Sequence, residues 1–311
     1  MKKFFIGLLK ALGYFGIYLG AQILVTFVYV IAITIPVAVK YSLGDYDLMD
    51  PMVMGLYLDE VLQGLMEAVM PITILSGLLT IGIVWLIFVC RKKKITKELS
   101  LRKISVGTMV SVVVMGFGFN LLTGVVFSVL PESWIASYEE TANATFVGEF
   151  WIVALTTGIM APLVEEFVFR GLIYTRLKKG MPMVAAAVIT AVWFGVMHGH
   201  PLWIAYAAVL GLVMVWIFER TGSLFASMLF HFGYNSVAVI EMALPETTPD
   251  WAGIVMVAAG VILSAAGVYC FLKLPKTEVV EETVVQEAAE AVIVTENTAD
   301  EETEESTENF K

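Results

Sequence analysis

The sequence predicts an all-α polytopic transmembrane helix bundle of about eight spans, followed by a disordered acidic C-terminal tail. Three observations carry that expectation. The chain of 311 residues is 59% hydrophobic and only 15% charged, whereas soluble domains hold about 45–50% apolar and about 25% charged residues. Apolar runs near the roughly 20 residues needed to cross a bilayer core recur eight times. The basic residues fall on alternate connections between those runs. The formal net charge of −10 does not describe this apolar body, because residues 275–311 hold 12 acidic and 2 basic residues and account for all of it. The body is electrically neutral, which excludes a basic nucleic-acid-binding surface. Cys90 and Cys270 stand alone, so neither a disulfide framework nor a zinc ribbon is expected.

The expected spans run approximately Ala11–Val39, Leu65–Cys90, Ser105–Leu130, Trp151–Tyr174, Pro182–Met197, Leu202–Phe218, Leu224–Leu244 and Trp251–Leu272. The first follows Lys2 and Lys3 but is too long for the apolar stretch of a secretory leader, and it reads as a retained helix. Only His198-Gly199-His200-Pro201 separates the fifth span from the sixth. That join reads as a re-entry whose backbone must be buried in protein or line a wet cavity, since lipid cannot satisfy free amides. Arg91, Lys92, Lys93, Lys94, Lys97, Arg102 and Lys103 follow the second span, and Arg176, Lys178 and Lys179 follow the fourth. Arg220 and Lys273 continue the pattern, while the other connections carry Asp45, Asp47, Asp50, Glu132, Glu139, Glu140, Glu149 and Glu246. The positive-inside rule then places both termini in the cytoplasm of a multi-pass cell-membrane protein. The tail alternates short aliphatic pairs with glutamate before turning wholly polar, and it cannot bury enough apolar surface to offset the entropy of ordering. The expected organisation is three N-terminal spans over 1–149, a functional core over 150–250, a last span over 251–274 and the tail over 275–311.

Ionisable groups inside apolar spans are costly, at about 2.5–3.5 kcal/mol each on insertion scales, and they default to function. Here they are Glu165, Glu166 and Arg170 on the fourth span, His198 at the end of the fifth and His231 on the seventh. Glu166 and Arg170 are four apart, share a helix face and can neutralise each other. Glu165 points elsewhere and is left without a local partner, as a general base near neutral pH would be. His231 and Asn235 are also four apart and face the same way; a neutral imidazole can relay a proton or bind a metal, and an amide can donate to an oxyanion. Phe194 stands one turn before His198. His200, in the connecting turn, reads as an interfacial residue. No HExxH, GxSxG or GxxxxGK[ST] pattern is present. Helix rise presents a difficulty: His231 lies about 12 Å from the cytoplasmic end of its span and His198 about 24 Å from Pro182. Convergence requires tilted helices or a fifth span that begins deeper.

Three motifs in order resemble the CAAX protease and bacteriocin-processing family of intramembrane proteases, also called the Abi family. E-E-x-x-x-R stands as Glu165-Glu166-Phe167-Val168-Phe169-Arg170, F-x-x-x-H as Phe194 to His198, and H-x-x-x-N as His231 to Asn235. The likeness covers roughly Phe150 to Leu244. It implies that Glu165 and His198 activate the attacking water, that His231 and Asn235 stabilise the tetrahedral oxyanion, and that Glu166 with Arg170 holds the geometry. The family's label as metalloproteases implies zinc on Glu165, His198 and His231 with one position open for water; a glutamate-driven mechanism without metal has also been argued for it. The implied partners are membrane lipid and a membrane-associated peptide or protein, prenylated CAAX peptides being the eukaryotic substrate class, and bacterial relatives are linked to bacteriocin maturation and immunity. Two other readings stand beside the protease: a non-catalytic immunity or scaffold protein of the same fold, and a proton-coupled transporter. An unpartnered Glu165 has no purpose in a scaffold, and a relay does not call for Asn235.

Overall fold

The computed structural model describes residues 2–44, 46–244 and 250–275, and these form eleven helices with no strand. The expected acidic tail lies outside the described residues, apart from Pro275. In chain order the helices are α1 (Lys2–Leu43), α2 (Pro51–Glu67), α3 (Val69–Cys90), α4 (Ile95–Glu98), α5 (Val106–Phe127) and α6 (Glu132–Thr145). They continue as α7 (Phe150–Leu177), α8 (Met183–Val196), α9 (Pro201–Thr221), α10 (Leu224–Met242) and α11 (Asp250–Lys273). The protein is a polytopic α-helical bundle, and each of the eight apolar runs contributes a helix.

Six of these helices, α1, α3, α5, α7, α9 and α11, are long and apolar enough to cross a membrane by length and composition. The other two of the eight expected spans, α8 and α10, fall outside that measure. α8 has 14 residues, a rise of about 21 Å against a hydrocarbon core of about 30 Å. α10 has 19 residues but spends its apolar character on Ser227, His231, Asn235, Ser236 and Glu241. Three further helices, α2, α4 and α6, were not anticipated. The run expected as Leu65–Cys90 breaks at Ala68, separating α2 from α3, and α2 starts at Pro51 with the Asp50 side chain capping Met52 N at 2.8 Å. α6 occupies the acidic connection before α7.

The apolar surface supports a lipid setting. α1 has 42 residues of which only Gly7, Ala11, Ala21 and Tyr41 are buried, so most of its aliphatic surface faces outward. The interior instead gathers around the second half of α7, where all eight residues from Phe167 to Tyr174 are buried. Phe88, Leu99, Met115, Phe194, Phe230 and Phe271 pack in the same core from other helices.

α5 is the axis of the later half of the bundle, packed along α10 and α11. Its approach to α10 depends on the absence of side chains. A Cβ on Gly116 would strike the backbone of Phe230 and Tyr234, and one on Gly233 would lie 2.5 Å from Val113 O. In lipid, where helices gain little from hydrophobic burial, such close backbone contact supplies much of the attraction. Asn120 Nδ2 reinforces it by donating to Tyr234 O at 3.0 Å.

On the end of the bundle with the basic connections, α4 is tied to α7 by Glu98. Its carboxylate pairs with Lys93 at 2.7 Å and with Arg176. Burial raises the Glu98 pKa, but the Lys93 hydrogen bond and the Arg176 charge outweigh it and hold the carboxyl below its ordinary range.

Two outcomes follow for stability. Gly116→Ala or Gly233→Ala is expected to lower stability by about 1–3 kcal/mol through overpacking against backbone, seen as a lower melting temperature in detergent. Gly82→Ala, with nothing within 4 Å of its added Cβ, is the neutral control. Because the Glu98 pKa is depressed on folding, its contribution is present above the unfolded value near pH 4.3 and lost as pH falls through the folded one. The stability gap between wild type and Glu98→Gln should therefore be full at pH 7 and close below about pH 4 in equilibrium unfolding.

Candidate active site

α7 is not a uniform helix. It winds as α over Phe150–Leu155, as π over Thr156–Met160, as α over Ala161–Glu166 and as π again over Phe167–Tyr174. Pro162 accounts for the first wide turn, since its ring would collide with the carbonyl four residues earlier in a regular helix. In π register, Ala161 N donates to Thr156 O. The next such donor, to Thr157 O, would be residue 162, and proline has no N–H. Asn235 Nδ2 fills the position, donating to Thr157 O at 2.8 Å. The amide read from sequence as an oxyanion donor thus spends one hydrogen on α7 and keeps a second.

Glu165 and Glu166 take the different environments expected of them. Glu166 is fully buried: Arg170 Nη1 reaches its Oε1 at 2.6 Å, His231 Nδ1 lies 3.3 Å from the same oxygen, and Ser227 Oγ donates to its Oε2. Arg170, also fully buried, donates from Nη2 to Gly211 O at 3.1 Å and lies over the Phe194 ring at 4.5 Å from its centroid. The Glu165 side chain is 21% exposed, with Oε2 3.8 Å from His231 Nε2. His231 therefore bridges both carboxylates, a link that the i to i+4 reading of Glu166 with Arg170 does not contain.

The hydrogen bonds of the two imidazoles fix their tautomers. His198 Nδ1 lies 2.9 Å from Phe194 O, and since a carbonyl only accepts, Nδ1 carries the proton. The neutral ring then has its lone pair on Nε2. His231 is oriented alike, with Nδ1 on the Glu166 carboxylate and Nε2 toward Glu165. Such anchoring is how proteins orient an imidazole for proton transfer. The depth difficulty is met at Phe194, whose ring centroid stands 5.0 Å from that of His198 and 5.9 Å from that of His231.

Glu165, His198, His231 and Asn235, from α7, the end of α8 and α10, all line one cavity of about 360 Å³. His200 does not line it; its Nε2 meets Ser137 Oγ on α6 at 3.2 Å. The arrangement does not fit a zinc site. Among the described residues no group of three His, Cys, Asp or Glu side chains is gathered closely enough to hold a metal ion.

Sequence reasoning missed Ser227, Thr157, Asn120 and Glu241. Ser227, His231 and Asn235 recur every four residues on α10, so the stripe was present to be read. Glu241 and Asn120 line the cavity with His231 and Asn235.

Fold and site together define a multi-pass membrane protein with a carboxylate and imidazole centre enclosed by its helices. Residues 147–237, which carry that centre, match the family model described as Type II CAAX prenyl endopeptidase Rce1-like, and the match supports the CAAX protease and bacteriocin-processing family. That is a family of intramembrane proteases. No curated protein and no solved structure matches the chain.

Breaking the buried pair from one side strands a charge, at a cost of about 3–5 kcal/mol. Glu166→Ala and Arg170→Ala are each expected to reduce the yield of monodisperse protein sharply. Normal yield and melting temperature for both would contradict the structural role.

Proposed function

We propose that this protein is an intramembrane endopeptidase that hydrolyses a peptide bond of a membrane-associated substrate, with both termini in the cytoplasm. The observation that carries the reading is the convergence of Glu165, the free Nε2 of His198, His231 and Asn235 on a single cavity. A water in that cavity gives its proton to Glu165, assisted by His198 Nε2, and its oxygen attacks the carbonyl carbon of the bound peptide. The developing oxyanion is met by the second amide hydrogen of Asn235, and by His231 when Nε2 carries a proton. Collapse of the tetrahedral intermediate breaks the C–N bond, and the proton held by Glu165 passes to the leaving amine. Glu166, Arg170 and Ser227 act on His231 and the helices and do not touch substrate. Because the side chains are not spaced as a metal cage, every step is assigned to them alone.

The matched family's description names a CAAX prenyl endopeptidase, and a lipid-modified peptide held at the bilayer is the substrate class this reading favours. The 15 basic residues that fall at the N-terminus or on the connections of one side, out of 17 in residues 1–274, support the cytoplasmic placement of the termini.

Glu165→Gln should lower cleavage of a membrane-anchored reporter by about 10²–10⁴-fold while leaving melting temperature and membrane insertion unchanged. Retained cleavage by the purified variant would sink the reading. Activity is expected to survive exhaustive chelation; loss restored by added zinc would overturn the assignment of water activation to Glu165 and His198 alone. The Glu165→Gln protein also serves as a trap, since membranes containing it should accumulate uncleaved substrate bound to it.

A further inference from the structure

The cavity is longer than the catalytic centre requires. Along α10 it is lined by His231, Asn235, Ala238 and Glu241, a single helix face with a rise of about 15 Å between the first and last. Glu241 has no part in the chemistry above. Its carboxylate makes no ion pair among the described residues. Around the same end the cavity is walled by aromatic rings: Tyr138 stands 5.0 Å from Phe127, 5.8 Å from Trp203 and 6.3 Å from Tyr206 between centroids. Glu241 is electrostatically close to this cluster, for burial and then the Glu241 charge push the Tyr138 phenol up, against the hydrogen bond from Tyr206.

A carboxylate without a cation, exposed at one end of a cavity that aromatic rings also line, is an environment that binds an ammonium or guanidinium group. We infer that the Glu241 end of the cavity is a subsite for a cationic group of the substrate, the side chain of a lysine or arginine lying toward the α10 C-terminus. At roughly 3.3 Å per residue of extended chain, about 15 Å places that residue four to five positions from the scissile bond. The inference deepens the endopeptidase reading and rests on it for the identity of the ligand as a peptide.

Two measurements on the full chain in lipid nanodiscs test it. A randomised hydrophobic peptide pool is digested and the cut sites are read by mass spectrometry. Lysine and arginine are expected to be enriched about tenfold at the fourth or fifth residue on one side of the cut bond. In Glu241→Gln the enrichment should fall to near unity, and in Glu241→Lys it should pass to acidic residues. Cleavage without basic enrichment, or enrichment undiminished in Glu241→Gln, overturns the subsite. Separately, Glu165→Gln protein is titrated with a leucine-rich peptide carrying one lysine and with its norleucine counterpart, followed by tryptophan fluorescence. The lysine peptide should bind about tenfold more tightly, and the Glu165→Gln/Glu241→Gln protein should not distinguish the two. Equal binding by the Glu165→Gln protein overturns the subsite whether or not the wild type cleaves. A binding preference without any cleavage by the wild type supports the subsite and overturns the endopeptidase reading.

Discussion

The buried ion pair between Glu166 and Arg170 is the constraint on which the site depends. Neither side chain has any exposure to solvent, so the polar atoms of the pair are answered from within the bundle, all but Arg170 Nε. The answers come from different helices: Ser227 and His231 on α10, the Gly211 carbonyl on α9 and the face of Phe194 on α8. One local pair on α7 thereby links the helices whose polar side chains line the cavity. A planar guanidinium that can donate in two directions and stack on a ring suits this position, and a lysine ammonium does not.

The same pair separates the duties of two adjacent carboxylates. Glu166 is held by three donors and has no capacity left for proton transfer, while Glu165 faces the cavity beside a single imidazole nitrogen. The histidines are treated alike: each has Nδ1 engaged by a group that only accepts, which leaves Nε2 for chemistry. The polar side chains of this site divide into those that orient, such as Glu166, Arg170 and Ser227, and those that line the cavity, such as Glu165 and His198.

Much of this was legible in the sequence because it is periodic. Hydropathy located eight apolar runs, the spacing of Glu166 and Arg170 indicated one face, and the alternation of basic connections indicated a topology. What escaped was set by tertiary contact. A break at Ala68 and an amphipathic helix in the acidic connection at α6 leave little trace in an apolar-run search. Six helices rather than eight reach spanning length and apolarity because α10 spends positions on polar residues and α8 stops early at the turn holding His198. The engagement of Asn235 by Thr157 was invisible because it depends on a wide turn, and a wide turn leaves no hydrophobic signature. Glu241 was passed over since a carboxylate near the end of a run is ordinarily a solvated helix terminus.

The wide turn at Thr156–Met160 also bears on how this helix can vary. A π turn is equivalent to an α-helix carrying one extra residue, so the two parts of α7 on either side of it are out of phase by about 100° relative to an uninterrupted helix. Loss of a single codon there would remove the extra residue with which the wide turn clears the Pro162 ring, and would swing Phe150–Leu155 around the axis while Glu165 stayed anchored through its neighbour. Substitutions in this stretch are local events, but length changes are rotational ones. The segment is therefore a place where the chain can accept new side chains and cannot accept a new count of residues.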